Sequence, residues 1–250
     1  MFFLQPLEQF EIIVYKNFLN IFFFTNSLFY LFFTFFSLYF FLYISRLDSY
    51  IIPKSFWEYI SEEIFLVIYT MVEEQSNYHY RVGFYFPIMF SIFLFILMSN
   101  LVGLTPYGFT TTAFIIKTFS LSFSFLIGLT IAGFFQQGPD FFNLFLPRGV
   151  PKILFPLLVV IETISYVSRA FSLGIRLFAN MMSGHSLLNI LAGFTLSLSK
   201  KSIFFGFLPF LIVLAITFLE VGIAILQSYV FVVLLCIYLN DALNDAHESH

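Results

Sequence analysis

The stretch ETISYVSRAFSLGIRLFANMMSGH, residues 162–185, decides the fold, because it is apolar in bulk and yet carries two arginines and one carboxylate. An arginine at the centre of a bilayer costs about 2.5–3.5 kcal/mol on insertion scales, and its guanidinium cannot be deprotonated in proteins. Arg176 is followed by residues 177–199, none of which has a formal charge, so its side chain has no nearby membrane surface to reach. We therefore interpret Arg176 as a functional charge. For Arg169 two interpretations stay open, a functional charge and a helix-end arginine whose head reaches the membrane surface.

The polar residues of two long apolar stretches, 152–198 and 202–242, match in height if the stretches are antiparallel helices joined by the polar turn at 199–202. Three polar pairs then face each other: Glu162 with Asp241, Arg176 with Gln227, and His185 with Glu220. At a rise of about 1.5 Å per residue, the first pair lies about 21 Å from Arg176 and the last about 13 Å beyond it on the other side. The pattern predicts acidic groups on both sides of one fixed positive charge.

The helical faces of these residues predict two separate polar routes. At about 100° per residue, Glu162, Arg169 and Arg176 fall within about 40° of one another. His185 is turned about 180° away from Arg176. Neither route crosses the membrane alone, which is the geometry expected of two offset half-channels that meet at a charged barrier.

Four motifs carry a resemblance to a known family. They are PLEQFEI at 6–12, SNLVGLTPYGFTTTAFI at 99–115, SLGIRLFANMMSGH at 172–185 and LEVGIAILQSYVF at 219–231. Together they resemble subunit a of the F-type ATP synthase in its mitochondrial form, and the likeness covers nearly the whole chain. Bacterial relatives carry a glutamate where His185 stands and a histidine where Glu220 stands. One departure is Ala170, where many relatives have proline.

The resemblance implies a role for each polar residue. Arg176, with Asn180, matches the Arg-Leu-x-x-Asn motif that holds the essential arginine of the family, and Gln227 and Asn180 would give polar support. A proton would enter through the His185/Glu220 side and pass to a carboxylate on a rotating ring. It would leave through the Glu162/Asp241 side, with Arg176 separating the two routes.

The resemblance also implies the partners and the location. The partners would be the c-ring of ATP synthase, the peripheral stalk, other membrane-sector subunits and lipids, in the mitochondrial inner membrane. No cofactor is expected. The sequence has no GxxxxGK[ST] run, so we expect ATP to form on other subunits. A zinc ion shared by His185 and Glu220 would have two ligands, short of the usual three or four.

Composition supports a membrane protein without reference to any family. The 250 residues are 60% hydrophobic and 10% charged, with a mean hydropathy of +0.95, which is typical of a polytopic membrane chain. A net charge of −3 and the lack of a Lys/Arg cluster argue against nucleic-acid binding. Cys236 is the single cysteine, which excludes a disulfide or a thiolate metal site within the chain.

The whole chain, 1–250, is predicted to form one all-α membrane domain with about five membrane-embedded helices and one amphipathic surface helix. The expected elements are a spanning helix at 17–45, a surface helix at 55–75, spanning helices at 82–104 and 112–137, and a hairpin of 152–198 and 202–242. Helices of more than forty residues measure about 60–70 Å against a hydrocarbon core of about 30 Å, so the hairpin must tilt strongly. In the surface helix the predicted apolar stripe is Phe56, Ile60, Ile64, Ile68 and Met71.

Other interpretations stay open at this stage. A proton-coupled secondary transporter would also need intramembrane charges, but such folds usually show internal repeats, and none is visible here. A membrane scaffold of a respiratory complex would use the same polar residues only to hold helices together. Asn100 has two possible roles, a hydrogen bond to a neighbouring helix and the lining of an aqueous route.

Overall fold

The computed structural model describes residues 10–12, 14–18, 22–46, 56–75, 79–105, 108–138, 155–200 and 203–244. Within these ranges a short antiparallel hairpin, β1 and β2, is followed by six α-helices. The bounds are β1 Val14–Phe18, β2 Phe22–Thr25, α1 Asn26–Arg46, α2 Phe56–Gln75, α3 His79–Gly103, α4 Ile115–Gln137, α5 Phe155–Ser199 and α6 Ile203–Asn244. A 3₁₀ turn, Thr111–Ala113, precedes α4. The predicted all-α membrane fold is confirmed, with the small hairpin as an addition.

Five of these helices, α1, α3, α4, α5 and α6, are long and apolar enough to cross a membrane. The chain is therefore a multi-pass membrane protein. Helix α2 is not among the five, and it carries glutamates in both its first and its last turns. Its predicted position on the membrane surface stays a prediction.

Helix α1 begins at Asn26, later than the start expected from the charge-free run at 17–45. The preceding residues pair as β1 and β2, with Lys16 opposite Phe24. The buried Asn26 side chain donates a hydrogen bond to the Glu11 carbonyl (2.9 Å) and accepts one from the Ser27 amide (2.8 Å). Such local bonds of an asparagine side chain compete with helix formation, which explains the later start.

The two last helices are long and continuous. Helix α5 has 45 residues and α6 has 42, and α5 runs through Gly174 and Gly184 without interruption. At about 1.5 Å per residue both exceed the thickness of a hydrocarbon core about twofold. Of the predicted polar turn between them, Lys201 and Ser202 lie outside the described residues.

The chain divides into two compact units, which we describe separately. Unit 1 comprises Met1–Pro53, Leu94–Phe114 and Leu177–Tyr229, and unit 2 comprises Lys54–Phe93, Ile115–Arg176 and Val230–His250. Helices α3, α5 and α6 each contribute a segment to both units.

A buried polar layer in unit 1 joins the end of α3, the 3₁₀ turn and α6. The hydroxyls of Ser99 and Thr111 are 2.7 Å apart. Thr112 Oγ1 donates a hydrogen bond to Asn100 Oδ1 (2.9 Å), and Asn100 Nδ2 donates to the Ala224 carbonyl (3.4 Å). Asn100 is completely buried, so its amide is held in one orientation. Of the two roles open for Asn100, the structure shows the bond to a neighbouring helix.

In unit 2, α2 packs on α3 through the C-terminal half of its apolar stripe. Ile68 and Met71 are buried, and Phe65 lies edge-on to Phe86 with ring centroids 4.8 Å apart. At the start of the predicted stripe, Phe56 is 72% exposed, whereas Glu58 is buried. An acidic side chain in the first helical turn is favoured there by the unsatisfied N–H groups and the helix dipole.

Helices α4 and α5 approach each other closely in unit 2. Phe171 lies edge-on between Phe119 and Phe123, with ring centroids 5.4 and 5.0 Å away. A Cβ at Gly174 would lie 2.8 Å from Ser122 Oγ. The glycine therefore allows α5 to contact α4 at a distance that a larger residue would prevent.

The buried layer of unit 1 yields a stability prediction. Thr112→Val keeps the shape of the side chain but leaves Asn100 Oδ1 buried without its donor, so the free energy of unfolding should fall by about 1–3 kcal/mol. Thr217→Val is the matched control, because the exposed Thr217 hydroxyl bonds only within its own helix, to the Leu214 carbonyl at 2.7 Å. Thermal denaturation of the purified protein in detergent measures both, and equal shifts for the two variants would contradict the prediction.

Candidate functional site

The predicted pair His185 and Glu220 is brought together in unit 1. His185 Nε2 lies 3.7 Å from Glu220 Oε1, and the side chains are 13% and 3% exposed. Both carboxylate oxygens of Glu220 and His185 Nε2 are buried, and none of them has a hydrogen-bond partner among the described residues. At 3.7 Å the two groups are just beyond hydrogen-bond distance.

Gly184 makes room for this carboxylate. A Cβ built at residue 184 would lie 2.6 Å from Glu220 Oε1 and 3.0 Å from its Cδ. The carboxylate therefore rests directly against the backbone of α5. Nothing in the sequence connects Gly184 with Glu220, because the contact depends on how two distant segments pack.

A second contact in unit 1 joins the predicted support residues. Asn180 Nδ2 donates a hydrogen bond of 2.8 Å to Gln227 Oε1. Gln227 is 2% exposed, and its Nε2 has no hydrogen-bond partner among the described residues. The sequence pairs Gln227 in height with Arg176, but the hydrogen bond of Gln227 is to Asn180, one helical turn further along α5.

The predicted carboxylates of unit 2 meet through an arginine. Arg169 Nη1 lies 3.0 Å from Asp241 Oδ2, and Arg169 Nη2 lies 4.0 Å from Glu162 Oε1. The guanidinium carbon also lies 5.4 Å from the centre of the Tyr238 ring. Glu162 and Asp241 are thus linked through Arg169, the residue whose role the sequence leaves open.

Arg176 differs from Arg169 in its contacts. It is half-buried on α5, and it makes no hydrogen bond or ion pair with any residue that the structure describes. A guanidinium carries five N–H donors and a permanent charge, so an arginine within an apolar helix is costly unless a partner satisfies it.

The two polar clusters have distinct chemistry. The cluster of unit 1 contains a histidine, a carboxylate and two amides, whereas that of unit 2 contains two carboxylates, one guanidinium and a tyrosine. Among the described residues, no group of three or more His, Cys, Asp or Glu side chains is placed to hold a metal ion. Both clusters consist of groups that exchange or stabilise protons and charges.

A comparison with protein families decides the relationship. The family model described as ATP synthase A chain matches residues 27–240. The chain belongs to the ATP synthase A chain family. The matched range contains every predicted site residue except Asp241, which follows its last residue.

Individual members of the ATP synthase A chain family match almost from end to end. The "ATP synthase subunit a" of Acanthamoeba castellanii is 46% identical over 249 residues, covering 97% of this chain and 99% of that protein. The protein of the same name from Marchantia polymorpha is 45% identical over 250 residues, covering 96% and 98%. That of Chondrus crispus is 45% identical over 247 residues, covering 96% of each chain. The resemblance seen in the motifs is confirmed.

The contact between Asn180 and Gln227 yields the second prediction. Asn180→Ala leaves the buried Gln227 Oε1 without a donor, so the protein should lose about 1–3 kcal/mol of stability. Adding Gln227→Leu should restore part of the loss, because replacing both partners by apolar groups removes the unsatisfied amide.

Thermal denaturation in detergent of the two single variants and the double variant measures this coupling. Asn189→Ala serves as the control, because Asn189 lies on the same helix and is exposed. Additive effects of Asn180→Ala and Gln227→Leu would show that the hydrogen bond does not stabilise the protein.

Proposed function

We propose that this chain is the proton-conducting stator subunit of a mitochondrial ATP synthase, in which Arg176 separates two half-channels. The observation that carries the proposal is the arrangement along α5. Arg176 makes no hydrogen bond or ion pair with a described residue, and it stands in the chain between a carboxylate cluster and a histidine–carboxylate cluster. Its counter-charge would then come from outside the chain, from the carboxylates of a rotating c-ring.

The uptake half-channel would run through His185 and Glu220. Two titratable groups at 3.7 Å can hand a proton from one to the other, and the buried carboxylate has both oxygens free of other described partners. Asn180 and Gln227 would supply polar support on the same two helices.

The release half-channel would run through Glu162 and Asp241. The side chains of these carboxylates are 35% and 40% exposed, against 3% for Glu220, so they are more accessible than Glu220. An accessible carboxylate suits the last step of a release path, where the proton must pass to water.

Arg176 would act through its fixed charge. A cation within about 4–6 Å of a carboxylate favours the ionised form, so each ring carboxylate would give up its proton as it passes Arg176. The same charge would oppose direct transfer of a proton between the half-channels. Each proton that leaked would waste roughly 2.3 kcal/mol per 100 mV of membrane potential.

The remaining parts of the proposal rest on the relatives and on the sequence. Relatives named "ATP synthase subunit a" support a place in that complex. The partners that we propose are the c-ring, the peripheral stalk, other membrane-sector subunits and lipids. The chain would lie in the mitochondrial inner membrane and bind no cofactor or nucleic acid. ATP would form on other subunits, since the sequence has no phosphate-binding loop motif.

Replacing Arg176 tests the central charge. Arg176→Lys keeps a positive charge but loses the planar five-donor fork, so ATP synthesis by assembled complexes should fall roughly hundredfold. Arg176→Ala should also let protons pass through the membrane sector when the catalytic head is removed, because no cation then resists transfer past the ring carboxylate. Proton flux into vesicles, compared among wild type, Lys and Ala forms, measures both effects.

Two results would reject the separating charge. One is normal synthesis by Arg176→Lys, and the other is a passive flux in Arg176→Ala as low as that of an inhibitor-blocked sector. A chain that carried protons or solutes when purified alone would instead indicate a secondary transporter, because a stator is inert without its ring.

Gly184→Ala tests the uptake half-channel without removing a titratable group. The new Cβ would displace the flexible end of Glu220, which costs little stability but moves the carboxylate away from His185. A well-placed proton-transfer group accelerates a reaction roughly 10²–10⁴-fold, and a misplaced group loses part of this acceleration. The rate of ATP synthesis should therefore fall at least about tenfold. Gly222→Ala is the matched control, because a Cβ there meets nothing within 4 Å. Equal rates in the two variants would count against Glu220 as a relay.

A further inference from the structure

We propose that Arg169 is a positioning residue of the release half-channel, which holds Glu162 and Asp241 at the correct distance for proton release. This inference rests on the proposed function. Arg169 would not carry the proton, because a guanidinium stays protonated; it would act through the two carboxylates that it contacts.

The contacts of Arg169 support this role. The guanidinium of Arg169 contacts the two carboxylates through different nitrogens. Nη1 lies 3.0 Å from Asp241 on α6, and Nη2 lies 4.0 Å from Glu162 on α5. Glu162 and Arg169 are seven residues apart, which is two helical turns or about 10.5 Å along the axis. A long side chain with a planar fork can span that distance and still bind a carboxylate of a second helix.

Tyr238 holds the guanidinium from a second direction. Its ring centre lies 5.4 Å from Arg169 Cζ, within the range of a cation–π contact. Tyr238 precedes Asp241 by three residues, so both project from neighbouring positions on one face of α6. Two side chains of α6 therefore fix one cation of α5.

Side chains of α4, α5 and α6 lie around Arg169. Its titratable neighbours are Glu162 and Tyr166 on α5 and Tyr238 and Asp241 on α6. Arg176 also interacts electrostatically with Tyr238. Helix α4 contributes Ser122, Leu126 and Leu129 to a cavity of about 20 Å³ beside Arg169, which has room for about one water molecule.

The charges of this cluster explain why an arginine is useful there. One guanidinium and two carboxylates leave a net formal charge of −1. An isolated ion pair of this exposure contributes little, since the side chains of Arg169 and Asp241 are 30% and 40% exposed. A network of three charges and an aromatic ring fixes the relative positions of these side chains in addition to attracting them to one another.

The test compares Arg169→Gln, Arg169→Lys and the control Lys200→Gln in whole complexes reconstituted into liposomes. Lys200 is an exposed cation that follows α5. The rate of ATP synthesis is measured as the pH on the release side is varied and the pH on the uptake side is held constant. A second series varies the pH on the uptake side at constant pH on the release side. Without Arg169 the two carboxylates are no longer held by one guanidinium. Arg169→Gln should therefore lower the rate roughly fivefold and shift the release-side profile.

The uptake-side profile of Arg169→Gln should keep its midpoint. Arg169→Lys should recover part of the rate, and Lys200→Gln should match wild type. An equal loss at every pH on both sides, or no loss, would overturn the positioning role. If Arg169→Gln does not assemble, Tyr238→Leu and Tyr238→Phe decide, because only Leu removes the ring. The release-side profile should then move further for Leu than for Phe, and identical profiles would overturn the inference.

These outcomes are distinct from a failure of the proposed function. If the wild-type membrane sector conducted no protons, or if Arg176→Lys and Arg176→Ala behaved as wild type, the half-channels themselves would be rejected. A normal response of the Arg176 variants with an unchanged Arg169→Gln profile would reject the positioning role alone.

Discussion

The structure depends on one constraint, that a permanent positive charge inside an apolar helix needs a partner. Two arginines on α5 meet this constraint in different ways. Arg169 is paired with carboxylates and a tyrosine of its own chain. Arg176 makes no hydrogen bond or ion pair with a described residue, and under the proposed function another chain supplies its counter-charge. The two arginines are thus distinguished by their contacts, although both occur in one stretch of sequence.

Some buried polar groups of unit 1 are hydrogen-bonded, whereas others have no hydrogen-bond partner among the described residues. Asn100 uses both ends of its amide, on Thr112 and on the Ala224 carbonyl. Glu220, one helical turn before Ala224, has neither oxygen bonded to a described residue. A satisfied amide is held in one orientation, whereas the oxygens of an unsatisfied carboxylate stay available to other groups. A hydrogen-bonded amide and a carboxylate without such bonds therefore occur in the same unit.

Much of the fold was predictable from sequence because membrane helices are recognised by length and hydropathy. The five helices that are long and apolar enough to cross a membrane lie at the predicted apolar stretches, with ends that differ by a few residues in most cases. Helix α1 starts nine residues later than the run at 17–45, since strand pairing and the bonds of Asn26 compete with helix formation. Side-chain bonding of this kind leaves no trace in hydropathy.

The sequence by itself determined the membrane class and the family, because composition and motifs are local properties. The cost of a buried charge, also a local property, singled out Arg176 as the proposed separating charge. The sequence also placed His185 opposite Glu220 correctly. Only the tertiary structure decided that Arg169 links Glu162 to Asp241, that Asn180 binds Gln227, and that Gly184 makes room for Glu220. The physical reason is that pairing residues by their height along two helices assumes that the helices are ideal, parallel cylinders. Contacts at the scale of 3 Å depend instead on helix rotation, side-chain length and the close approach that glycine permits.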